Sequence, residues 1–486
     1  MKARFLSTYL NVLIIFLVAL VTAIVFSHTA LLSGNMEAMH MDAQVYIHTA
    51  HQLLQGKILY RDVFDHKGPF MYIIECIGVF FSGKQYVGLW FTQWIWLVLG
   101  LSPLFIFWAR KHSLLLSMTA LFFLGAWIYS FKTIGDNLPE IYAISFIAWI
   151  YYLCLRMVEN SLLHRWYAAL LGMSAMGLFL TKPNLIVLVI PCCVWLLWTH
   201  FQTNSSSEKR NHLLFILGYI LLGGVVVLLP ILGYFAYHQA LSDAFFAYWT
   251  FNFSYISAQS LSMYESFSQV FLQAPLFMLI FVVVALLIKG ILDKGQRPFF
   301  AMIVATLIIS MFILIALPGR GKDSLHYAMP MAPIIGWAIM YIGQEFQSFQ
   351  RVFLLLMGLY FFKPPLIHSI TATPHQVDRK EDIEWLATLK RAGETLCIFG
   401  NRSAVYEQTQ LTCNTRFFYT YPLMQDCNSS ISQQFITQFV SNKATWVWVE
   451  TKYVFDTCIT QLLQNYERVY ANPETQIYHL KTVTAN

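Results

Sequence analysis

The chain has 486 residues, of which 57% are hydrophobic and only 12% are charged. Soluble globular proteins carry roughly 25% charged residues. The composition, with a mean hydropathy of +0.56, therefore excludes an ordinary soluble protein and predicts a polytopic α-helical membrane protein. The formal net charge of +6 fits Lys and Arg anchors at the ends of membrane spans better than a surface that binds nucleic acid.

Apolar runs of about 17–25 residues, each long enough to cross a hydrocarbon core of ~30 Å, recur along the first part of the chain. Lys2 and Arg4 precede the first run, which predicts a cytoplasmic N-terminus. The short run 69–82 is predicted to be interfacial or re-entrant. Pro364 and Pro365 interrupt the last run. About eleven spans are predicted, at residues 5–32, 87–108, 113–132, 141–157, 166–181, 184–200, 213–237, 269–289, 298–318, 328–345 and 352–370.

This topology predicts a transmembrane domain over residues 1–371, with the C-terminus on the outer side of the membrane. The sequence leaves open whether 69–82 and 352–370 cross the membrane. The predicted outer loops are residues 33–86, 133–140, 238–268 and 319–327.

Composition changes after about residue 371, and residues 372–486 are mixed and polar. Strand-like runs alternate here with helical patterns, which predicts a small exported α/β domain. The strands are expected at Thr395–Phe399, Thr445–Glu450 and Thr475–Leu480, and the helices at Glu381–Arg391 and Ile431–Val440. An even number of cysteines suggests disulfides in an oxidising compartment, with three pairings open, although free buried thiols are the alternative. These cysteines are Cys397, Cys413, Cys427 and Cys458.

Several nucleotide and metal motifs are absent from the sequence. It contains no P-loop, no dinucleotide-binding glycine fingerprint, no G-x-S-x-G and no H-E-x-x-H. These absences argue against ATP, a nucleotide sugar on a Rossmann scaffold, and catalytic zinc.

Charged side chains of the outer loops are the candidate functional residues, because ionisable groups next to a bilayer cost desolvation energy. A carboxylate can take the proton of an acceptor hydroxyl, while Arg and Lys can hold a phosphate leaving group. The candidates are Asp42, Arg61, Asp62, Asp65, Lys67, Asp136, Glu140, Lys182, Arg320, His326 and Tyr327.

Each candidate also has a structural interpretation. Charges that border spans are ordinarily solvated anchors. Asp62 and Asp65 can pair with Arg61 and Lys67 in surface ion pairs worth ~0–1 kcal/mol. Two other groups have similar interpretations: His48 and His51 as helix-surface residues, and Glu75 as the polar side of the interfacial helix.

The order of several short motifs resembles the GT-C superfamily of integral membrane glycosyltransferases, which use polyprenyl-phosphate-linked sugars. Asp42-Ala43-Gln44-Val45-Tyr46 is similar to the D-E-x-x-Y sequence that follows span 1 in that superfamily, with Ala43 in place of Glu. The G…Y-x-D…K-x-P-x-x-Y stretch is similar to Gly56, Tyr60, Asp62, Lys67, Pro69 and Tyr72, with Gly68 where Pro is commoner. The L-T-K turn resembles Leu180-Thr181-Lys182, and the H-Y…P sequence resembles His326-Tyr327 with Pro330 and Pro333.

The resemblance implies a mostly α polytopic membrane helix bundle of GT-C type and an inverting glycosyltransferase. The enzyme would move a monosaccharide from undecaprenyl phosphate to a surface glycan at the periplasmic face of the bacterial inner membrane. Members of this size include serotype-converting O-antigen glucosyltransferases, which implies glucose as the sugar and lipopolysaccharide O-antigen as the acceptor.

The resemblance also implies roles for the candidates. Asp42 would be the general base that activates the acceptor hydroxyl. Donor phosphate would be bound by Lys182, Arg320, His326 and Arg61. Sugar hydroxyls, the acceptor or a divalent metal ion would be oriented by Asp62, Asp65, Lys67, Asp136, Glu140 and Tyr327. Ala43 cannot bind a metal, so the resemblance leaves the metal open.

Two other functions fit a multi-span protein with charged outer loops. An O-antigen polymerase or ligase would usually have a very large outer loop with several Arg residues, and would not require the early Asp42. A transporter or flippase would place its charges at mid-membrane, often with internal symmetry. The charges of this chain lie at span ends instead, and no repeat is visible.

Overall fold

A computed structural model describes most of the chain. Its description covers residues 41–83, 86–132, 137–159, 165–203, 206–253, 274–292, 297–313, 321–344, 381–420, 429–453 and 457–481, with isolated residues in 14–40, 262–265, 350–360 and at 424.

Long apolar helices make up the first part of the chain. Three described helices are long and apolar enough to cross a membrane by length and composition: Val87–Lys111, Pro139–Glu159 and Leu213–Tyr237. Shorter helices follow the other predicted runs. These are Leu114–Lys132, Arg165–Thr181, Ile190–Thr203, Ala274–Leu292, Arg297–Met311 and Ala332–Gly343. The total number of spans stays a prediction, because much of 5–32 and 352–370 lies outside the described residues.

Several helix ends differ from the predicted runs for local reasons. Pro183 and Pro330 lie in 3₁₀ segments, Pro183–Leu188 and Gly321–Met331, which come before the helices that begin at Ile190 and Ala332. Proline lacks the N–H group that a continuous α-helix needs. In the other direction, the helix Ser206–Tyr237 begins before the predicted span 213–237.

Two short helices follow the first predicted span. Met41–Leu54 begins after His40, whose Nδ1 accepts a hydrogen bond from the Asp42 amide at 3.2 Å. Pro69–Phe80 begins with proline, as the first turn of a helix tolerates. At 12 residues the second helix is about 18 Å long, too short to cross a ~30 Å hydrocarbon core. Its length agrees with the interfacial or re-entrant interpretation.

The helix Pro69–Phe80 has an apolar exposed face and a polar buried group. Ile73, Ile77 and Phe80 are exposed, whereas Glu75 is fully buried. Glu75 therefore points into the protein and bonds to other side chains there, so the polar side of this helix is its buried side.

Residues after 381 form a five-stranded mixed sheet with helices. The strands are β1 Thr395–Phe399, β2 Thr412–Cys413, β3 Trp446–Glu450, β4 Tyr466–Ala471 and β5 Thr475–Leu480, in the order β2-β1-β3-β5-β4. Strand β1 is parallel to β2 and β3, whereas β5 is antiparallel to β3 and β4. The helices are Glu381–Leu389, Ala404–Thr409, Ser430–Asn442 and Thr457–Leu462. The expected strands β1, β3 and β5 and both expected helices are present.

The central strands are apolar because both of their faces are covered. Every residue of β3 is buried, and β1 is buried from Leu396 to Phe399. Cys397 and Cys413 are free thiols, so the predicted disulfides do not involve them. Cys427 lies outside the described residues, as does the side chain of Cys458.

The helix Met41–Leu54 packs against the sheet region through histidine–carboxylate contacts. Glu407, in the helix Ala404–Thr409, binds His48 Nδ1 at 2.6 Å and His51 Nδ1 at 2.8 Å. His48 also stacks on Tyr406, with ring centroids 4.9 Å apart. His48 is 2% exposed, so the interpretation of it as a helix-surface residue was wrong.

Candidate active site

A buried ion pair joins two helix ends. Glu140 lies in the first turn of the helix Pro139–Glu159, where the helix dipole favours a negative charge. Lys182 follows the last residue of the helix Arg165–Thr181. Its ammonium contacts the Glu140 carboxylate directly, and both side chains are buried. The two predicted site residues are therefore neighbours, although the sequence separates them widely.

His326 and Tyr327 complete this cluster from the 3₁₀ segment Gly321–Met331. His326 Nε2 lies 3.6 Å from Glu140 Oε1, and Lys182 Nζ lies 3.8 Å from the centre of the Tyr327 ring. Among the described residues, His326 Nδ1 and Glu140 Oε2 are buried without a hydrogen-bond partner. Both atoms can therefore still bind a polar group of a ligand.

Electrostatics fixes the charge of these groups. Burial lowers the pKa of His326 well below its ordinary value, and the nearby Lys182 charge lowers it further. This imidazole is therefore neutral near pH 7. Burial alone would lower the pKa of Lys182, but the charges of Glu140 and Asp42 contribute to raising it above its ordinary value, so the ammonium stays charged.

Asp42 faces the same cluster with its carboxylate uncommitted. It is half-buried in the first turn of the helix Met41–Leu54, and its side chain has no partner among the described residues. Its negative charge raises the pKa of both Lys182 and His326, although burial has the larger effect on each. A carboxylate with free lone pairs beside a buried cation is suited to accepting a proton.

A second buried carboxylate, Asp65, is held by three neighbours. Tyr72 donates its hydroxyl to Asp65, Tyr419 donates to Oδ1 at 2.7 Å, and His66 Nδ1 lies 3.3 Å from the same oxygen. Lys67 Nζ lies 2.7 Å from His66 Nε2. Burial would raise the pKa of Asp65, but the hydrogen bond and charge of His66 and the charge of Lys67 hold it well below its usual range. Asp65 is therefore an anion. It does not form the predicted surface pair with Lys67.

Tyr46 connects the two carboxylate groups. It is buried in the helix Met41–Leu54, and its hydroxyl has no hydrogen-bond partner among the described residues. Burial raises its pKa well above the ordinary value, and the charges of Asp42, Asp65 and Glu140 raise it further. These carboxylates thus surround one neutral phenol. The hydroxyl can donate a hydrogen bond to a ligand oxygen.

Gly68 brings the Asp65 loop against the end of the helix that leads to Lys182. Its amide donates to Thr181 O at 3.2 Å. A Cβ at this position would lie 1.9 Å from Leu180 O, so only glycine permits this approach. The backbone at Gly68 is extended, with φ −70°, so its requirement is space and not an unusual torsion angle.

Arg61 and Asp62 do not join this cluster. Arg61 Nε binds Asp62 Oδ1 at 2.9 Å, and Arg61 Nη1 binds His238 O at 2.7 Å. This pair is the interaction that the structural interpretation expected. Two other predicted site residues, Asp136 and Arg320, lie outside the described residues.

Sequence reasoning missed how the start of the helix Pro139–Glu159 is held. Glu75 accepts hydrogen bonds from Asn137 Nδ2 at 2.9 Å and from the Tyr142 hydroxyl at 2.8 Å, and Gln93 Nε2 donates to Asn137 Oδ1 at 2.6 Å. Burial raises the pKa of Glu75 to about 7, although both hydrogen bonds oppose this shift. The network flanks Glu140 in the sequence and fixes the turn that presents it. A polar residue inside an apolar run was its only signal.

Tyr419 and His66 were also missed. Tyr419 is 354 positions from its partner Asp65, and no local pattern connects them. His66 lies inside the predicted loop, but it carries no sign that it would contact Asp65 on one side and Lys67 on the other. Among the described residues, no group of three or more His, Cys, Asp or Glu could hold a metal ion.

Solved structures of other proteins show the same fold as this chain. The chain is similar to ArnT from Cupriavidus metallidurans bound to undecaprenyl phosphate, with a TM-score of 0.64 and 10% identity over 97% of this chain and 98% of that one. The chain has the GT-C fold. ArnT in the apo state gives a TM-score of 0.61 at 11% identity, over 98% of each chain.

Another solved structure shows the same likeness. The archaeal oligosaccharyltransferase AglB from Archaeoglobus fulgidus, in complex with an inhibitory peptide and a dolichol-phosphate, gives a TM-score of 0.50 at 13% identity, over 100% of this chain and 75% of that one. No protein-family model and no curated protein matches the sequence.

Proposed function

We propose that this protein is an inverting glycosyltransferase that uses a polyprenyl-phosphate-linked sugar. The observation that carries the proposal is Asp42, an uncommitted carboxylate that faces the buried Lys182–Glu140 pair. A base beside a fixed cation is what sugar transfer from a lipid phosphate requires, because a proton leaves the acceptor while negative charge grows on the leaving phosphate.

Asp42 is the better general base of the two acids. Glu140 is fully buried and bonded to Lys182, so its charge is already neutralised. In the proposed step, the acceptor hydroxyl gives its proton to Asp42, and its oxygen forms a bond with the anomeric carbon. The bond between that carbon and the phosphate oxygen breaks from the opposite side, and its electron pair leaves with undecaprenyl phosphate.

Lys182 supplies charge to the leaving phosphate in this proposal. Its ammonium has three N–H donors, and Glu140 occupies one of them. His326, neutral with a free Nδ1, can exchange a hydrogen bond with a phosphate or sugar oxygen. Arg320 keeps its proposed part in phosphate binding. Arg61 contacts Asp62 and His238, which favours a role farther from the phosphate.

The remaining polar groups are proposed to orient the sugar or the acceptor. Asp65 and Lys67 lie in the loop that approaches the Lys182 helix end, and Tyr327 covers the ammonium of Lys182. Asp62 and Asp136 keep the same proposed role. No step in this scheme depends on a divalent metal ion.

An apolar groove suits the lipid chain of the donor. It has a volume of about 320 Å³, and Phe70, three positions after Lys67, lines it. Other lining residues are Trp96, Leu99, Phe146, Trp149 and Met173. Branched hydrocarbon binds such a surface through the hydrophobic effect and dispersion. The likeness to ArnT, whose structure contains undecaprenyl phosphate, supports this assignment.

We further propose that the reaction takes place at the periplasmic face of the bacterial inner membrane, with the sheet region after residue 381 exported. The cationic N-terminus supports this orientation. The proposed sugar is glucose and the proposed acceptor is lipopolysaccharide O-antigen or its lipid-linked precursor, both by the resemblance of the sequence motifs.

Glycan analysis tests the proposal in cells. Cells that express the protein should show one additional sugar on a surface glycan, and this sugar should disappear when the synthesis of the lipid-linked donor is removed. Addition of the sugar without any lipid-linked donor would contradict the proposal. A change in glycan length without a new sugar would favour a polymerase.

A further inference from the structure

A second, polar pocket lies apart from the cluster around Glu140. Its volume is about 280 Å³, and it opens between the loop after the helix Met41–Leu54 and the sheet region. Its lining includes Lys57, Arg61, Asn414, Arg416, Gln438 and Asn442. The apolar groove described above differs sharply, because aromatic and aliphatic side chains dominate its walls.

Buried polar atoms in this pocket lack partners. His48 lines the pocket and is 2% exposed, and its Nε2 has no hydrogen-bond partner among the described residues. The same holds for Arg416 Nε and for both the oxygen and the nitrogen of the Asn414 amide. An unsatisfied buried polar atom destabilises the protein, so a polar ligand that bonded to these atoms would remove that cost.

The residues that line the pocket carry a positive surplus, because Lys57, Arg61 and Arg416 line it together with a single carboxylate, Asp62. Arg61 is paired with Asp62 at 2.9 Å, and Arg416 Nη1 is paired with Asp243 at 2.8 Å. The Lys57 side chain is exposed and has no partner among the described residues. An anionic group in the pocket would therefore meet an ammonium that forms no ion pair with a described carboxylate.

Amide groups add a different kind of recognition. The side chain of Asn414 can both donate and accept hydrogen bonds, and so can the hydroxyl groups of a sugar. Gln438 and Asn442, which bond to Arg416 N and Asn414 O, hold this part of the wall in place. We infer that this pocket binds an acidic saccharide unit, a sugar that carries a carboxylate or a phosphate.

The pocket connects to the candidate active site along two adjacent segments. Phe64 N donates to Arg416 O at 2.8 Å, and Tyr419 donates to Asp65 at 2.7 Å. Tyr419 is three positions after Arg416, so the two Cα atoms are at most roughly 10 Å apart even in an extended chain. An oligosaccharide with its acidic unit in the pocket can therefore extend towards Asp65. The inference deepens the proposed function and rests on it, because it assigns this pocket to the acceptor glycan.

Binding to the purified full-length protein in detergent tests the inference without any transfer reaction. The probes are glucuronic acid, glucose 6-phosphate, glucose and inorganic phosphate, measured by ligand-detected NMR titration. We expect at least one acidic sugar to bind with a Kd on the order of 1 mM, a free energy of about −4 kcal/mol. Glucose and inorganic phosphate should bind at least tenfold more weakly. Glucose lacks the negative charge, and inorganic phosphate lacks the sugar hydroxyl groups.

Two variants locate the binding. Lys57→Gln removes the unpaired charge, and Asn414→Ala removes the free amide. Each should weaken binding of the acidic sugar about tenfold, whereas Arg391→Gln removes a charge at an exposed site outside the pocket and should have no effect. A substitution of Arg416 would also disturb the fold, because Arg416 contacts Asp243, Gln434 and Tyr60 O.

Three outcomes would overturn the inference. These are equal binding of glucose and the acidic sugars, equal binding of inorganic phosphate and glucose 6-phosphate, and acidic-sugar binding that neither variant weakens. Asp42→Asn should leave binding unchanged. Binding of the acidic sugars by a protein that transfers no sugar would contradict the proposed function alone.

Discussion

The contact at Gly68 gives a prediction whose size can be taken from the structure. In Gly68→Ala the new Cβ would lie 1.9 Å from Leu180 O, about 1.5 Å closer than the 3.4 Å at which ordinary contact begins. The obstacle is backbone and cannot rotate away. The Asp65 loop and the Lys182 helix end must therefore separate by roughly that distance, and a displacement of about 1 Å at a reacting centre can cost ~10²-fold in rate.

The assay is the initial rate of sugar transfer in proteoliposomes that contain equal amounts of protein. The matched control is Gly218→Ala, within the helix Ser206–Tyr237, where an added Cβ has no neighbour within 4 Å. Ala is favoured over Gly in a helix by about 1 kcal/mol, so the control should be as active and as stable as the unchanged protein. A normal rate for Gly68→Ala would refute the proposed contact between loop and helix end.

Further predictions concern the charges and the orientation. Asp42→Asn should reduce transfer ~10²–10⁴-fold at unchanged protein level in the membrane, and near-normal activity would rule out Asp42 as the base. Glu140→Gln should lower the Tm, because breaking a buried ion pair costs ~3–5 kcal/mol. The double variant with Lys182→Met should regain most of the Tm yet remain inactive. Equal Tm values for Glu140→Gln and the unchanged protein would contradict the buried pair. The pKa of Glu407 is lowered to about 2 by the hydrogen bonds and charges of two histidines, which outweigh the effect of its burial. The stability that the Glu407 carboxylate contributes to the fold is therefore complete above the ordinary pKa of ~4.3 and is lost as the pH falls towards 2. Glu407→Gln should lower the Tm at pH 7 and flatten its pH dependence between about 4.3 and 2, whereas an unchanged pH profile would contradict the contact. A reporter that works only outside the cytoplasm should be active when it is fused after residue 480. Activity of a reporter that works only in the cytoplasm would show that the predicted span count is wrong.

The membrane class, the helix-rich fold and the sheet region could be predicted because their signals are local. Apolar runs of span length mark helices such as Val87–Lys111, and the buried strands β1 and β3 are short apolar runs. Boundaries were less accurate where proline produces a 3₁₀ segment, as at Pro183. The hydrophobic pattern there continues although the hydrogen-bonding pattern changes.

The membership of the candidate site was partly predictable, and its pairings were not. Short motifs identified Asp42 and Lys182, but nothing in the sequence indicates that Lys182 is bonded to Glu140. Long-range contacts such as the one between Tyr419 and Asp65 depend on where the sheet region packs. Glu75 indicated a polar side of its short helix, but periodicity cannot show whether that side faces the protein.

The most direct test of the central claim is transfer of sugar from purified undecaprenyl-phosphate-linked glucose to a lipid-linked O-antigen acceptor in proteoliposomes. The unchanged protein should form the glycosidic bond with inversion at the anomeric carbon and release undecaprenyl phosphate, and Asp42→Asn should form at least a hundredfold less product. Retention of configuration, or equal rates for the two proteins, would contradict direct attack by an acceptor activated by Asp42.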